Sequence, residues 1–338
     1  MAVRIDIGLF AHNEAAGIAD MLRGLAAQDI FDAPDFSARV LVLANGCTDA
    51  TVAIAQSVCG PITSVVDLRA AGKSRTWNRF VHGLAREDAH FLIFMDADIE
   101  FSTHDTLRRL VQHLQTRPDL WVINSQPIKD IIAHPSGLSP IDKVIAAASG
   151  GLDDWKTAIC GQLYAMPAAR ARAFHLPIGL PVEDGFLRAM VLTDALTRDE
   201  DFSKIDGATG ISHIFASERS IVGLINHQTR IVIGSAINAL CFAQLRSLPV
   251  DQRHAKLRLV AQDDDWLGGV IRHNLPKWPY GFVPVHFLVK RVAVLMANPK
   301  RLLQPRQVLI VIAGLGFDAI VYLRAQVAMA RGAGSGHW

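Results

Sequence analysis

Two carboxylates one residue apart, Asp96 and Asp98, follow the apolar run Phe91-Leu92-Ile93-Phe94-Met95. The run is short, continuous and bounded, which is the pattern of a strand buried on both faces. Asp96-Ala97-Asp98 therefore stands where a strand leaves its sheet, the place where open α/β sheets bind ligands. Acids this close repel unless a cation sits between or beside them, and oxygen-only ligation suits Mg²⁺ or Mn²⁺. A turn rich in Asp is the bland alternative, so the pair gains meaning only from its neighbours.

Four further patches carry chemistry at expected strand-to-helix exits. Ala11-His12-Asn13-Glu14 follows the first strand, and Asn45-Gly46-Cys47-Thr48-Asp49-Ala50-Thr51 follows the second. Ala71 to Asn78 supplies two cations, Lys73 and Arg75, and Val182-Glu183-Asp184-Gly185 places paired acids at a helix start. The last pair also reads as acids favouring a helix dipole. Gly72-Lys73-Ser74 mimics the end of a phosphate-binding P-loop, but the first glycine of that motif would fall on Asp67. No G-x-G-x-x-G follows the first strand, which argues against a dinucleotide oxidoreductase.

The elements that must position these residues alternate. Hydrophobic period predicts strands over 5–11, 40–44, 62–66, 91–95 and 121–125, with helices over 14–27, 48–58, 73–86 and 105–115 between or after them. That rhythm predicts an α/β fold with a mostly parallel sheet covered on both faces. After Gln126 the chain is punctuated by Pro127, Pro135, Gly137 and Pro140; a helix over 141–155, a strand over 162–166 and a helix over 182–196 follow. From about Ile221 the pattern is helical to the end. The expected organisation is a domain over 1–235, in two parts divided at 126, and a helical extension over 236–338.

Half of the 338 residues are hydrophobic and a fifth are charged, enough for a large core. The four cysteines lack C-x-x-C spacing, which fits a reduced compartment and no zinc site. The first six residues read as a strand start rather than a signal peptide. Charge is uneven: from Arg246 onward there are 13 Lys/Arg against 5 Asp/Glu, net +8, and the remainder carries −6. A basic tail on an acidic body suits nucleic acid or an anionic membrane surface. The apolar run over 308–323 is shorter than the ~20 residues of a spanning helix. With flanking basic and aromatic residues, it reads better as lying in a membrane interface or packing in a core.

Taken together, Asn13-Glu14, the turn from Asn45 to Thr51, Gly72-Lys73 to Asn78, Asp96-Ala97-Asp98 and Glu183-Asp184 resemble the family 2 glycosyltransferases, inverting enzymes of the GT-A fold. The resemblance covers about residues 3–235 and implies a metal-dependent, hexosyltransferase-like enzyme. It implies nucleotide contacts at Glu14, Asp49, Lys73 and Asp96, with Asn13, Asn45, Arg75 and Arg230 near the donor. Asp98 would be the metal ligand for Mn²⁺ or Mg²⁺, Asp184 the general base, and Trp155 and Glu183 acceptor contacts. The implied partners are a UDP- or GDP-sugar and a glycan or lipid-linked acceptor of the cell envelope, with peripheral contact at the cytoplasmic membrane face and no nucleic acid.

Two departures matter. Ala44-Asn45 replaces the family's acidic pair in the second turn, leaving the base unspecified. Gln228-Thr229-Arg230-Ile231 stands where processive synthases carry Q-x-x-R-W, which points to addition of one sugar. His213 and His227 lie near that stretch and read as core or surface residues before metal ligands. The rivals are a non-catalytic nucleotide-sugar binder or scaffold, and a sugar nucleotidyltransferase, which would need a Gly-rich phosphate loop where Ala11 to Glu14 stands.

Overall fold

The structure is a computed structural model and describes residues 2–136, 155–276, 280–297 and 305–332. Most of the helix expected over 141–155, with its neighbouring Gly150-Gly151 and Asp153-Asp154, lies outside the described residues.

Eight strands form one sheet: β1 (Val3–Ala11), β2 (Phe36–Asn45), β3 (Thr63–Leu68), β4 (Phe91–Asp96), β5 (Ile99–Phe101), β6 (Val122–Lys129), β7 (Leu163–Pro167) and β8 (Ile205–Phe215). Their order is β3-β2-β1-β4-β7-β6-β8-β5. The first four in that order run parallel, as the alternating pattern predicts. The other half is mixed, because β7 pairs antiparallel with both β4 and β6 and β5 pairs antiparallel with β8. The architecture is mixed α/β with helices on both faces.

Strand alternation sorts the apolar side chains into two cores, one on each face. Ile5, Ile7, Leu9, Val40, Val42, Ile93 and Met95 fill one, with Ile18, Met21, Leu22 and Leu25 of α1 (Ile18–Ala26) and Leu107, Leu110, Val111 and Leu114 of α4 (Thr106–Thr116). Phe10, Leu41, Leu43, Leu92 and Phe94 point into the other. They meet Trp77 of α3 (Lys73–Arg79) and Phe186, Leu187 and Met190 of α5 (Glu183–Thr193). α2 (Thr51–Val58) follows β2 and packs on α1.

Beyond β8 come α6 (Ile221–Arg246), α7 (Arg253–Val260), α8 (Trp266–Asn274), α9 (His286–Ala297) and α10 (Pro305–Ala330). α6 runs unbroken through position 235, where the sequence suggested a domain boundary. Ile237, Cys241 and Leu245 of α6 and Val321, Ala325 and Met329 of α10 are buried in the same core as Phe94 and Phe186. The C-terminal helices are thus built onto the sheet. Within α10, Val311–Ala330 has a mean hydropathy of 1.4 with 17% of the segment buried, and is long and apolar enough to cross a membrane.

Candidate active site

Parallel register brings the chemistry to one edge. Ala11 of β1 lies opposite Ala44 of β2, and Phe10 lies opposite Asp96 of β4, so the three strands end together. Because β7 runs the other way, its start also lies at this edge, where the carbonyl of Gln162 accepts from the Asp96 N–H at 2.9 Å. The loops after β1, β2, β3 and β4 therefore crowd around one cleft.

Lys73, the first residue of α3, is the hub. Its ammonium donates to Asp96 at 2.7 and 2.8 Å and lies 3.4 Å from Glu183 Oε1. Burial works against this charge, but Asp96, Glu183 and Asp184 outweigh it and hold the lysine pKa above its ordinary value. Burial pushes the Asp96 carboxyl up to about 6, with Lys73 opposing and Asp98 adding to the rise. Asp184 also rises to about 6, through burial and then Glu183, while Lys73, the Gly185 N–H and Arg230 pull it down. Acids from β4 and α5 are thus gathered around one amine. A carboxylate poised near neutral pH suits proton abstraction.

Glu14 closes another side. Its pKa is raised by burial and then by Asp98, Asp96 and Asp49, so four acids from three loops sense one another. Asp98 is exposed and makes no hydrogen bond or ion pair among the described residues. The described residues contain no ready-made cage of three or more metal-ligating side chains. One free carboxylate beside like charges still fits a hard divalent ion, which commonly takes one or two carboxylates and completes its shell with substrate phosphates and water.

The floor beneath these acids is aromatic. Trp77, Phe94 and Tyr164 stack nearly parallel, with ring centres 5.6 and 4.7 Å apart, and Trp77 Nε1 donates to the Tyr164 hydroxyl at 2.9 Å. Phe10, Lys73, Trp77, Phe94, Tyr164, Gly161, Glu183 and Asp184 line one small pocket. A β-carbon added at Gly161 would lie 3.4 Å from Asp184, so the chain here approaches the acid closely.

Residues 6–141 match the family model described as glycosyl transferase family 2. The match covers 136 of the 338 residues. The resemblance read from the motifs is borne out, and the match spans Asn13-Glu14, the Asn45 turn, Lys73 and Asp96-Ala97-Asp98. No curated protein matches the sequence. Among solved structures, the mannosyltransferase PcManGT from Pyrobaculum calidifontis, in complex with GDP-Man and Mn²⁺, is similar with a TM-score of 0.49 and 14% identity, over 96% of this chain and 88% of that one. Mannosyl-3-phosphoglycerate synthase from Rubrobacter xylanophilus has a TM-score of 0.48 and 12% identity, over 69% and 73%. Glucosyl-3-phosphoglycerate synthase from Mycobacterium tuberculosis, in complex with phosphoglyceric acid, has 0.46 and 18%, over 71% and 79%.

Several residues named from the family 2 pattern have local partners. Asn45 is 4% exposed, and its Oδ1 accepts from the Gly72 N–H at 2.8 Å, tying the end of β2 to the start of α3. Beside it, Gly46 has φ +58°, and a β-carbon there would lie 2.5 Å from that of Ala71. Asp49 accepts from the N–H of Ala15 at 3.1 Å and of Thr51 at 3.0 Å, latching the first two loops together. The Thr51 hydroxyl bond holds its pKa low. Asn13 sits at φ +57° and accepts from the Thr48 N–H at 2.8 Å. These three brace the cleft.

Other named residues are spread wider. Arg75 pairs with Asp264, before α8. Arg230, on α6, is near enough to lower the Asp184 pKa. The Trp155 ring packs so tightly on β8 that a β-carbon at Gly207 would sit 2.1 Å away. His213 is fully buried, with Nδ1 3.0 Å from Ser125 Oγ and Nε2 3.3 Å from Gln162 Oε1; burial lowers its pKa to about 4. His227 is exposed on α6. The sequence reading passed over Tyr164. The strand expected over 162–166 would have exposed it had its direction been known.

Proposed function

We propose that the chain moves a single sugar from a nucleoside-diphosphate sugar to an acceptor hydroxyl with inversion at the anomeric carbon. The carrying observation is the convergence of Asp96, Glu183 and Asp184 on Lys73, with Asp98 and Glu14 alongside. Such a site can meet a doubly charged leaving group on one side and an acidic hydroxyl proton on the other.

Asp184 takes the proton of the attacking hydroxyl. Its raised pKa makes it a better base than an ordinary carboxylate while it remains largely ionised at neutrality. Lys73 and Arg230 offset charge that builds on the departing diphosphate. Asp98, with Asp96 behind it, would hold Mn²⁺ or Mg²⁺ against the donor phosphates; such an ion supplies neutralisation of the leaving group when bound. Attack from the Asp184 side, opposite the leaving group, inverts the centre. The acceptor lies toward Glu183 and Trp155 and is a glycan or lipid-linked hydroxyl at the cytoplasmic membrane face.

A thermal-shift screen of UDP, GDP, dTDP and CMP with and without Mn²⁺ identifies the base, since a tight ligand raises the melting point by mass action. The matching donor should then release nucleoside diphosphate, not pyrophosphate. Asp98→Ala is expected to lose the Mn²⁺-dependent part of the shift. Wild-type turnover in both Asp98→Ala and Asp184→Asn would reject the site.

A further inference from the structure

We propose that the C-terminal helices hold the hydrocarbon chain of an anionic, lipid-linked acceptor. The proposal rests on the transfer reading above and names its acceptor class.

A cavity of about 640 Å³ lies between α6, α9 and α10. Its size falls in the roughly 300–1,000 Å³ range of small-ligand pockets. Ile231 and Val232 of α6, Phe287 and Leu295 of α9, and Phe317 and Val321 of α10 supply apolar wall. Five of the thirteen lining residues are polar: Gln228, Tyr322, Asp318 paired with Arg291 at 2.7 Å, and exposed Lys290, which has no partner among the described residues. That is the chemistry of an alkyl chain with cations near one end.

α10 is apolar on its opposite side as well. Ile312, Ile320, Leu323 and Val327 are 61, 50, 58 and 47% exposed. At about 100° per residue these four fall within about 80° of one another, facing away from Val321. A helix apolar on both sides suits a lipid environment better than water. The net +8 of the chain from Arg246 onward selects an anionic amphiphile.

One helix, α6, touches both the cavity and the segment that carries the acids. Gly234 of α6 lies against Val182, where a β-carbon would come within 2.3 Å of that side chain, and Asn238 Nδ2 donates to the Val182 carbonyl at 2.9 Å. Val182 immediately precedes Glu183 and Asp184. Ile231, on the cavity wall, is three residues from Gly234, about 4.5 Å along the helix. The helix that walls the cavity therefore also packs against the residue that precedes the two acids.

The test uses the full chain and dansyl-undecanoate, a fluorescent alkyl carboxylate. Wild type should bind it with blue-shifted emission. Val321→Trp, which fills the cavity, and Leu224→Trp, on its half-buried wall, should each weaken binding at least about tenfold. Protection by nucleoside diphosphate and Mn²⁺ should be unchanged in both. Leu224→Trp carries the test if Val321→Trp does not fold. No probe binding by wild type, or undiminished binding in the folded variants, overturns the proposal. So does a dimer that the same substitutions dissociate, since a second copy would then occupy the cavity. Probe binding lost in the variants, with no nucleotide protection in wild type, supports the tail site while defeating the transfer reading.

Discussion

At the scale of single residues, the site is a contest between burial and one ammonium group. Asp184 titrates near 6 in the fold against an ordinary 3.8, so the folded chain holds that proton more tightly. Stability therefore falls as pH rises between those values and stays lower above them. Asp184→Asn removes that cost: stability at pH 7 should rise by on the order of 1–3 kcal/mol, read as a higher melting point. Transfer should fall by about 10²–10⁴-fold, with nucleotide protection retained. In wild type, kcat/KM should drop below about pH 6 as this carboxylate is protonated. Lys73 lowers the pKa of both Asp96 and Asp184, so Lys73→Met should shift that acidic limb upward by roughly one unit, read from a pH–rate profile. Residue types and spacing made the acids and the lysine visible in the sequence. Roles such as those of Asn45 and Asp49 were not, because an amide or carboxylate near a ligand looks the same in sequence whether it touches the ligand or a backbone N–H.

At the scale of elements, loops are aimed by what fastens them. Asn45 fixes the first turn of α3, and hence Lys73, through one buried hydrogen bond to Gly72. Asn45→Ala leaves that N–H without a partner and should cost about 1–3 kcal/mol by chemical denaturation. It should also raise the donor KM more than it lowers kcat, since the chemistry groups remain. The βα half of the sheet was legible because parallel strands buried on both faces read as continuous apolar runs. β5 is three residues long, and β8 runs Ile-Asp-Gly-Ala-Thr-Gly-Ile-Ser-His-Ile-Phe, with too little alternation to stand out. The helix expected over 73–86 keeps α-geometry only to Arg79, then widens to a π-turn over Phe80–Leu84 that seats Phe80 and Val81 in the core. Pairing direction is also invisible locally: β7 looks like any apolar strand, yet its reversal is what delivers Gln162 and Gly161 to the acids.

At the scale of the whole molecule, the basic C-terminal part reads from sequence as a helical extension, and packing ties it to the sheet. Val321, Ala325 and Met329 are at most 4% exposed and share a core with the sheet. Gln326, equally buried, accepts from the N–H groups of Phe282 and Val283 at 3.0 and 3.2 Å and donates to the Val283 carbonyl at 3.0 Å. Charge counting cannot see this, because a helix that is apolar on both sides gives the same composition whether one side is covered or neither is. Two predictions separate the cases. Gln326→Ala strips a loop of three buried hydrogen bonds and should cost at least about 1–3 kcal/mol. A chain ending before α9 loses the burial of a Val and a Met side chain, each worth about 1.5–3 kcal/mol, and should melt more than roughly 5 °C below the full chain. An unchanged melting point in the shortened chain would mean that the sheet domain closes its own core and that the C-terminal helices are a separate unit. The loss expected here means instead that the acids around Lys73 and the cavity beside α10 belong to one cooperative body, so that a ligand bound in either should stabilise both.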